Sequence, residues 1–236
     1  MITPPLDVDT SALDNPAWSA LTGAHARFSI GGDRVKRYQD DVSPFLGVSS
    51  WEDPLVWSAL IDMHGPAATV TIAGADPALP DGWSEVWRGA GVQMIETDRV
   101  ITERFDEAVE LGAEHVAEML AIVERNAPGP FLPRTHELGR YIGVIREGRL
   151  VAMAGERLRP AGWTEISAVS VDESHRRQGL ASRLVLDVAH GIRARGDRAF
   201  LHAAETNTGA VAAYERIGFE VRTRVPFISV RTPGAV

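Results

Sequence analysis

Cysteine is absent from all 236 residues. That excludes a disulfide framework, a thiol nucleophile and thiolate-ligated metal. Lysine occurs once, at Lys36, so the other basic side chains are arginines. No run approaches eighteen apolar residues, which argues against a membrane-spanning helix. The opening MITPPLDVDT has no basic stretch followed by an apolar core, so no secretory leader is expected. A soluble, cytoplasmic protein is the expectation. A basic excess is missing too: 32 acidic side chains against 24 basic give a net charge of −8. Dedicated nucleic-acid binders usually carry the opposite balance, so neither nucleic acid nor membrane is expected as a partner. The seven histidines show no paired ligand spacing, and no metal is expected.

What is present is unevenly spread. Residues 1–98 hold 5 basic and 14 acidic side chains, whereas residues 99–236 hold 19 and 18. From Glu137 onward the balance is 15 basic against 11 acidic, so an anionic ligand should favour the later part. The chain is longer than one average domain, at about 150 residues each. We therefore expect two units, 1–98 and 99–236. The first is broken by Asn15-Pro16, Asp53-Pro54, Gly65-Pro66, Asp76-Pro77 and Pro80-Asp81-Gly82 into short elements. Among them are a helix over Asp53–Met63 and strands over Ala68–Ala73 and Val92–Ile95. It reads as a small α/β domain without a catalytic constellation; His25 and His64 stand alone and read as surface or packing residues.

The second unit alternates strand and helix signals. Apolar residues at helical spacing predict a helix over Ala113–Arg125. Strands over Arg140–Ile145 and Arg149–Leu158 flank Glu147-Gly148, a hairpin signal. A third strand covers Thr164–Val171 and an amphipathic helix Gly179–Arg195, closed by Gly196. A strand over Ala199–Ala203, a helix over Thr208–Ile217 and two strands broken near Pro226 follow. This order describes an α/β (α+β) fold, a mixed sheet with helices on both faces.

Between the third strand and its helix runs DESHRRQGLA, residues 172–181. A glycine-bearing turn that opens a helix gathers orphan backbone N–H groups beside the positive end of the helix dipole. Gly179 and Ala181 keep that turn uncrowded, and Arg176, Arg177 and Arg183 add charge, so the segment suits a diphosphate. Further on, Asn207 stands at a helix N-cap position with Tyr214 seven residues later.

Together VSVDESHRRQGLASRL and TNTGAVAAYERIGF resemble the GNAT superfamily of acyl-CoA-dependent N-acetyltransferases. The likeness covers about residues 100–232, and the wording looks most like the branch related to glycine N-acyltransferases. It implies a mixed, mostly antiparallel central sheet flanked by helices; the role of residues 1–98 is not legible, and a degenerate GNAT-like half is one alternative left open for them. It further implies acetyl-CoA as co-substrate and transfer of its acetyl group to a small-molecule or peptide amine in a ternary complex, by a monomer or homodimer. Carried onto this chain, the backbone of Val169, Ser170 and Val171 would hold the thioester and pantetheine arm, with the Val169 N–H stabilising the oxyanion. Arg176, Arg177, Gln178, Gly179, Leu180, Ala181 and Ser182 would cradle the diphosphate. Asn207 would hold the pantetheine or position the helix after it, and Tyr214 would protonate the departing thiolate.

Deprotonation of the amine falls to Glu165, to His202 or to a water chain. Glu165 is the first choice, sharing a strand face with Ser167, Val169 and Val171; its other readings are a solvated strand-end charge and partnership with an arginine. His202 is the second, since imidazoles titrate near neutrality. The acidic first unit would favour a cationic acceptor. Two other classes fit the same residues: a non-catalytic acyl-CoA-binding or sensing module, and an interaction protein whose first unit is the working part.

Overall fold

The computed structural model describes residues 9–234. Residues 1–8, most of the stretch read for a leader, lie outside the described residues, as do 235–236.

The early elements are short, as the breakers dictate. Helix α1 (Pro16–Thr22) starts on a proline, whose missing N–H is no loss in a first turn. Strands β1 (Ser29–Gly31), β2 (Val35–Tyr38) and β3 (Leu46–Val48) form a small antiparallel sheet in that order. Helix α2 (Leu55–His64) begins after Pro54 and stops at Gly65, whose φ of +83° suits glycine. Trp57 packs against both Trp51 and Trp83, so three of the six tryptophans share one aromatic cluster.

The remaining strands make one sheet. They are β4 (Thr69–Ala73), β5 (Ser84–Glu96), β6 (Val109–Glu110), β7 (Tyr141–Arg146), β8 (Arg149–Glu156), β9 (Trp163–Val171), β10 (Arg198–Ala204) and β11 (Phe219–Arg231). Three helices accompany them: α3 (Val116–Asn126), α4 (Leu180–Ala194) and α5 (Thr208–Arg216). The order is β4-β11-β5-β10-β9-β8-β7-β6, antiparallel throughout except between β9 and β10. This is the mixed, mostly antiparallel sheet with flanking helices expected above.

Alternation along β8 shows how the two faces are covered. Ala152 and Ala154 join Leu184, Val185, Val188 and Ile192 of α4 on one side. Met153 joins Met119 and Ile122 of α3 on the other. Full burial of side chains of this size contributes about 1.5–3 kcal/mol each, so α4 is held by its apolar stripe and not by propensity alone.

Two expectations need correction. The boundary at residue 98 cuts through a continuous structure, because β4 and β5 belong to the large sheet and β5 lies between β10 and β11. One apolar cluster also joins Leu13, Leu21, Phe28 and Phe45 to Leu158, Trp163 and Phe200. Pro226 does not break the last strand; it pairs opposite Ala90 inside β11. Its carbonyl accepts from the Gly74 N–H, so its missing N–H faces the β4 side, just beyond the end of that strand. Only the reciprocal bond at the very end of the β4 ladder is forgone, and the β5 side is untouched.

Candidate active site

Strands β9 and β10 run side by side only from Trp163↔Arg198 to Ile166↔Leu201. Beyond that point both strands continue, to Val171 and Ala204, without pairing to each other. The register of β9 against β8 also shifts here, between the Met153 and Gly155 pairings. Ala168 adopts a φ of +55° at this step, the left-handed backbone of a bulge. The parted strands open a cleft of about 510 Å³, in the range of cofactor sites.

The cleft gathers most of the residues singled out in the sequence: Val169, Ser170, Val171, Arg176, Ala181, His202, Asn207 and Tyr214 all line it. Arg177, Gln178, Gly179, Leu180 and Ser182 are not in its lining; they form the adjoining turn and the start of α4. Within that turn Arg177 has a φ of +62° and Gly179 of +78°. Gly179 caps α4 without any side-chain bond, so the helix's first N–H groups are left for a ligand. Leu180 turns inward and is buried in the core. Gln178 instead accepts from Arg146 Nη1 at 2.8 Å.

Arg176 is aimed by its neighbours. Its Nε donates to the Val171 carbonyl at 3.3 Å and its Nη2 to Asn126 Oδ1 at 3.0 Å. Asn126 reaches in turn to Asp172, which accepts from Arg125 and from Arg149 at 2.8 Å. Burial would raise the Asp172 carboxyl, but Arg125, Asn126 and Arg149 outweigh it and keep it ionised.

Asn207 caps α5: its Oδ1 accepts from the Ala210 N–H at 3.1 Å. Replacing Asn207 with Ala should cost about 1 kcal/mol, read as a lower urea midpoint at unchanged slope. Tyr214 lies half-buried against Phe219, and burial pushes its phenol up to about 12. It keeps its proton at neutral pH, as a donor must.

Glu165 is not in the lining. It is wholly buried beneath the cleft, bonded to Arg157 Nη2 at 2.6 Å and Nε at 2.9 Å. Burial alone would raise its carboxyl, but Arg157 and then His202 hold it well below the usual carboxylate range. A carboxylate so held is a poor proton acceptor. The arginine partnership foreseen for Glu165 is present, with His202 added: Nδ1 of His202 lies 2.7 Å from Glu165 Oε1. An ionised carboxylate only accepts, so Nδ1 carries the proton and Nε2 the lone pair.

Sequence reasoning named neither Arg157 nor one further member of this group. Gln93 on β5 is buried, and its Nε2 lies 3.3 Å from His202 Nε2. Arg222 Nη1 donates to Gln93 Oε1 at 2.9 Å, and Gln93 Nε2 also donates to the Leu13 carbonyl at 3.0 Å. Those bonds fix the amide so that its N–H side meets the imidazole. Nothing near Gln93 in sequence marks it, and His202 lies 109 residues away.

Among the described residues there is no cluster of three or more potential metal ligands, and no helix is long and apolar enough to cross a membrane.

A family model described as FR47-like protein matches residues 141–228. No curated protein matches the chain. Among solved structures, an acetyltransferase described as being from the GNAT family of Novosphingobium aromaticivorans is 30% identical, with a TM-score of 0.84 over 95% of this chain and 99% of that one. A GCN5-related N-acetyltransferase from Kribbella flavida, 18% identical, shares the fold with a TM-score of 0.61 over 98% of both chains. So does a GNAT-family acetyltransferase from Colwellia psychrerythraea, 14% identical, with a TM-score of 0.54 over 96% of this chain and 99% of that one. A split sheet opening onto an uncapped helix, matched along nearly its whole length by such a structure, places this chain in the GNAT family of acetyltransferases.

Proposed function

We propose that the protein transfers an acetyl group from acetyl-CoA to a primary amine by direct attack in a ternary complex. The observation that carries this reading is the parting of β9 from β10, with Tyr214 and His202 lining the gap that opens toward the N-terminus of α4. The residues present fit acetyl-CoA. The Ser170 hydroxyl is buried without a partner among the described residues, and Ser170 lines the cleft. The uncapped α4 terminus and Arg176 suit a diphosphate.

Acetyl-CoA supplies an activated acetyl thioester; the chain's own groups move the protons and steady the charge. Backbone along Val169–Val171 would orient the acyl end, with the Val169 N–H facing the developing oxyanion. Once the Gln93 N–H gives way, His202 Nε2 would take the proton of the amine, while Glu165 acts as the positioning residue that keeps the other proton at Nδ1. Tyr214 would give its proton to the departing sulfur. This reading moves the base from Glu165 to His202, because Glu165 is tied up by Arg157. The likeness to the glycine N-acyltransferase-related branch rests on the wording around residues 165–169, 175–181 and 202–219.

Tyr214→Phe should lower kcat by about 10²–10⁴-fold while leaving acetyl-CoA affinity nearly intact, the range expected for a positioned general acid. Thiol release and calorimetry measure the two separately, and wild-type turnover in that variant would remove Tyr214 as the acid. Thermal stabilisation by acetyl-CoA tests the cofactor. Intersecting double-reciprocal plots are expected; parallel ones would contradict direct transfer.

A further inference from the structure

His202 and Arg157 line two clefts, not one. The second, of about 260 Å³, is bounded by Leu13 and Phe45 of the early chain and by Val225 and Phe227 of β11. Gln93 lines this cleft and not the first. His202 Nε2 meets the Gln93 amide on the side of the second cleft, while the ring also borders the first.

The polar part of the second cleft is dominated by guanidinium groups. Arg157, Arg222 and Arg224 line it, and Asp14 is its one acid. Asp14 is already engaged by Arg222. Arg157 spends Nε and Nη2 on Glu165, and its Nη1 has no acceptor among the described residues. Arg224 is 80% exposed, reaching Glu205 at 2.9 Å from the rim. Net charge over residues 1–98 suggested a cationic acceptor, but the side chains that line the cleft are of the opposite sign.

Resting on the acetyl-transfer reading, we infer that this cleft is the acceptor site, and that it takes a small primary amine bearing an anionic group, carboxylate or phosphate. The amine end takes the place of the Gln93 N–H at His202 Nε2, the anionic end is drawn to the arginines, and Phe45 and Phe227 cover an apolar middle. A volume of about 260 Å³ lies below the roughly 300–1,000 Å³ of drug-sized pockets, which favours a small molecule over a folded protein. Guanidinium is the group best matched to both anions through paired N–H donors.

The test uses the full chain saturated with CoA, with binding read by calorimetry, and with acetyl-CoA for thiol release. Matched probes are phenylalanine against phenylalaninamide, phosphoethanolamine against ethanolamine, and spermidine as the cationic competitor. Expected is at least tenfold tighter binding of one anionic probe than of its neutral partner. Arg224→Glu should weaken that preference several-fold, read in KM for the anionic probe, and Arg222→Gln should weaken it further. The two pairs separate a carboxylate ligand from a phosphate one. Equal binding within both pairs, tighter binding of spermidine, or a preference unmoved by both substitutions would overturn the inference. Loss of CoA binding in the wild-type protein would instead overturn the acetyl-transfer reading on which it rests.

Discussion

A chain shortened to residues 99–236 is expected not to fold, although it contains every residue that the sequence alone singled out for chemistry. Removing β5 withdraws a strand from the middle of the sheet. Its partners are β10, from Ile95↔Phe200 to Gly91↔Ala204, and β11, from Glu96↔Phe219 to Ser84↔Arg231. Both would be left with open edges facing one another. Met94 is wholly buried and Val92 nearly so, and their loss alone forfeits about 3–6 kcal/mol at 1.5–3 kcal/mol each. Apolar cover from Leu13, Leu21 and Phe45 goes as well. Against a total stability of about 5–15 kcal/mol, such a deficit is decisive. Circular dichroism and urea titration of the fragment should show no cooperative transition, and co-expression with residues 1–98 should restore one. A monomeric 99–236 fragment that unfolds cooperatively would contradict this account.

Glu165→Gln is expected to be the most damaging point substitution, striking stability and turnover together. It leaves Arg157, 11% exposed at its side chain, charged and without its carboxylate. Breaking one side of a buried pair costs about 3–5 kcal/mol. It also replaces a group that only accepts with an amide that can turn an N–H toward His202, so the proton is no longer held at Nδ1. Because the folded carboxyl sits below its unfolded value near 4.3, the native state binds fewer protons between the two. The pair's stabilisation is therefore full above about pH 5 and declines as pH falls through the acid range. Replacing both partners, Arg157→Met with Glu165→Leu, should recover much of the stability and flatten that acid decline, while turnover stays low. His202→Gln keeps the Arg157 pair and should cost about 10²–10⁴ in kcat with a near-normal melting temperature. An active Glu165→Leu/Arg157→Met protein would show that the buried carboxylate has no part in positioning the imidazole.

Local signals carried the later half of the fold because they act within a few residues. The Glu147-Gly148 hairpin turn has both residues at positive φ, +51° and +73°, as the dipeptide implied. Asn207 caps α5 where its position suggested. Long-range arrangements left no such mark. The first part of β5 holds Glu85, Arg88, Gly89 and Gly91, which suit neither alternation nor β-propensity. It is a strand because β11 pairs along it. Pro226 reads as a break until its neighbour is known to end there. Glu165 and His202 were both legible as candidates, but only Arg157 beside one and Gln93 beside the other decides which can accept a proton.

The central position of β5 also imposes an order of assembly. At about 5–20 residues per second, β10 and β11 leave the ribosome on the order of 10 s after β5. Throughout that delay β5 has neither neighbour, and its Val86 and Trp87 remain half-exposed even in the finished protein. Closing the sheet must await loops of more than a hundred residues, such as the 109 between Gln93 and His202. Folding dominated by such distant contacts is slow. The active site is thus among the last parts of the molecule to exist, completed only when the end of the chain returns to its beginning.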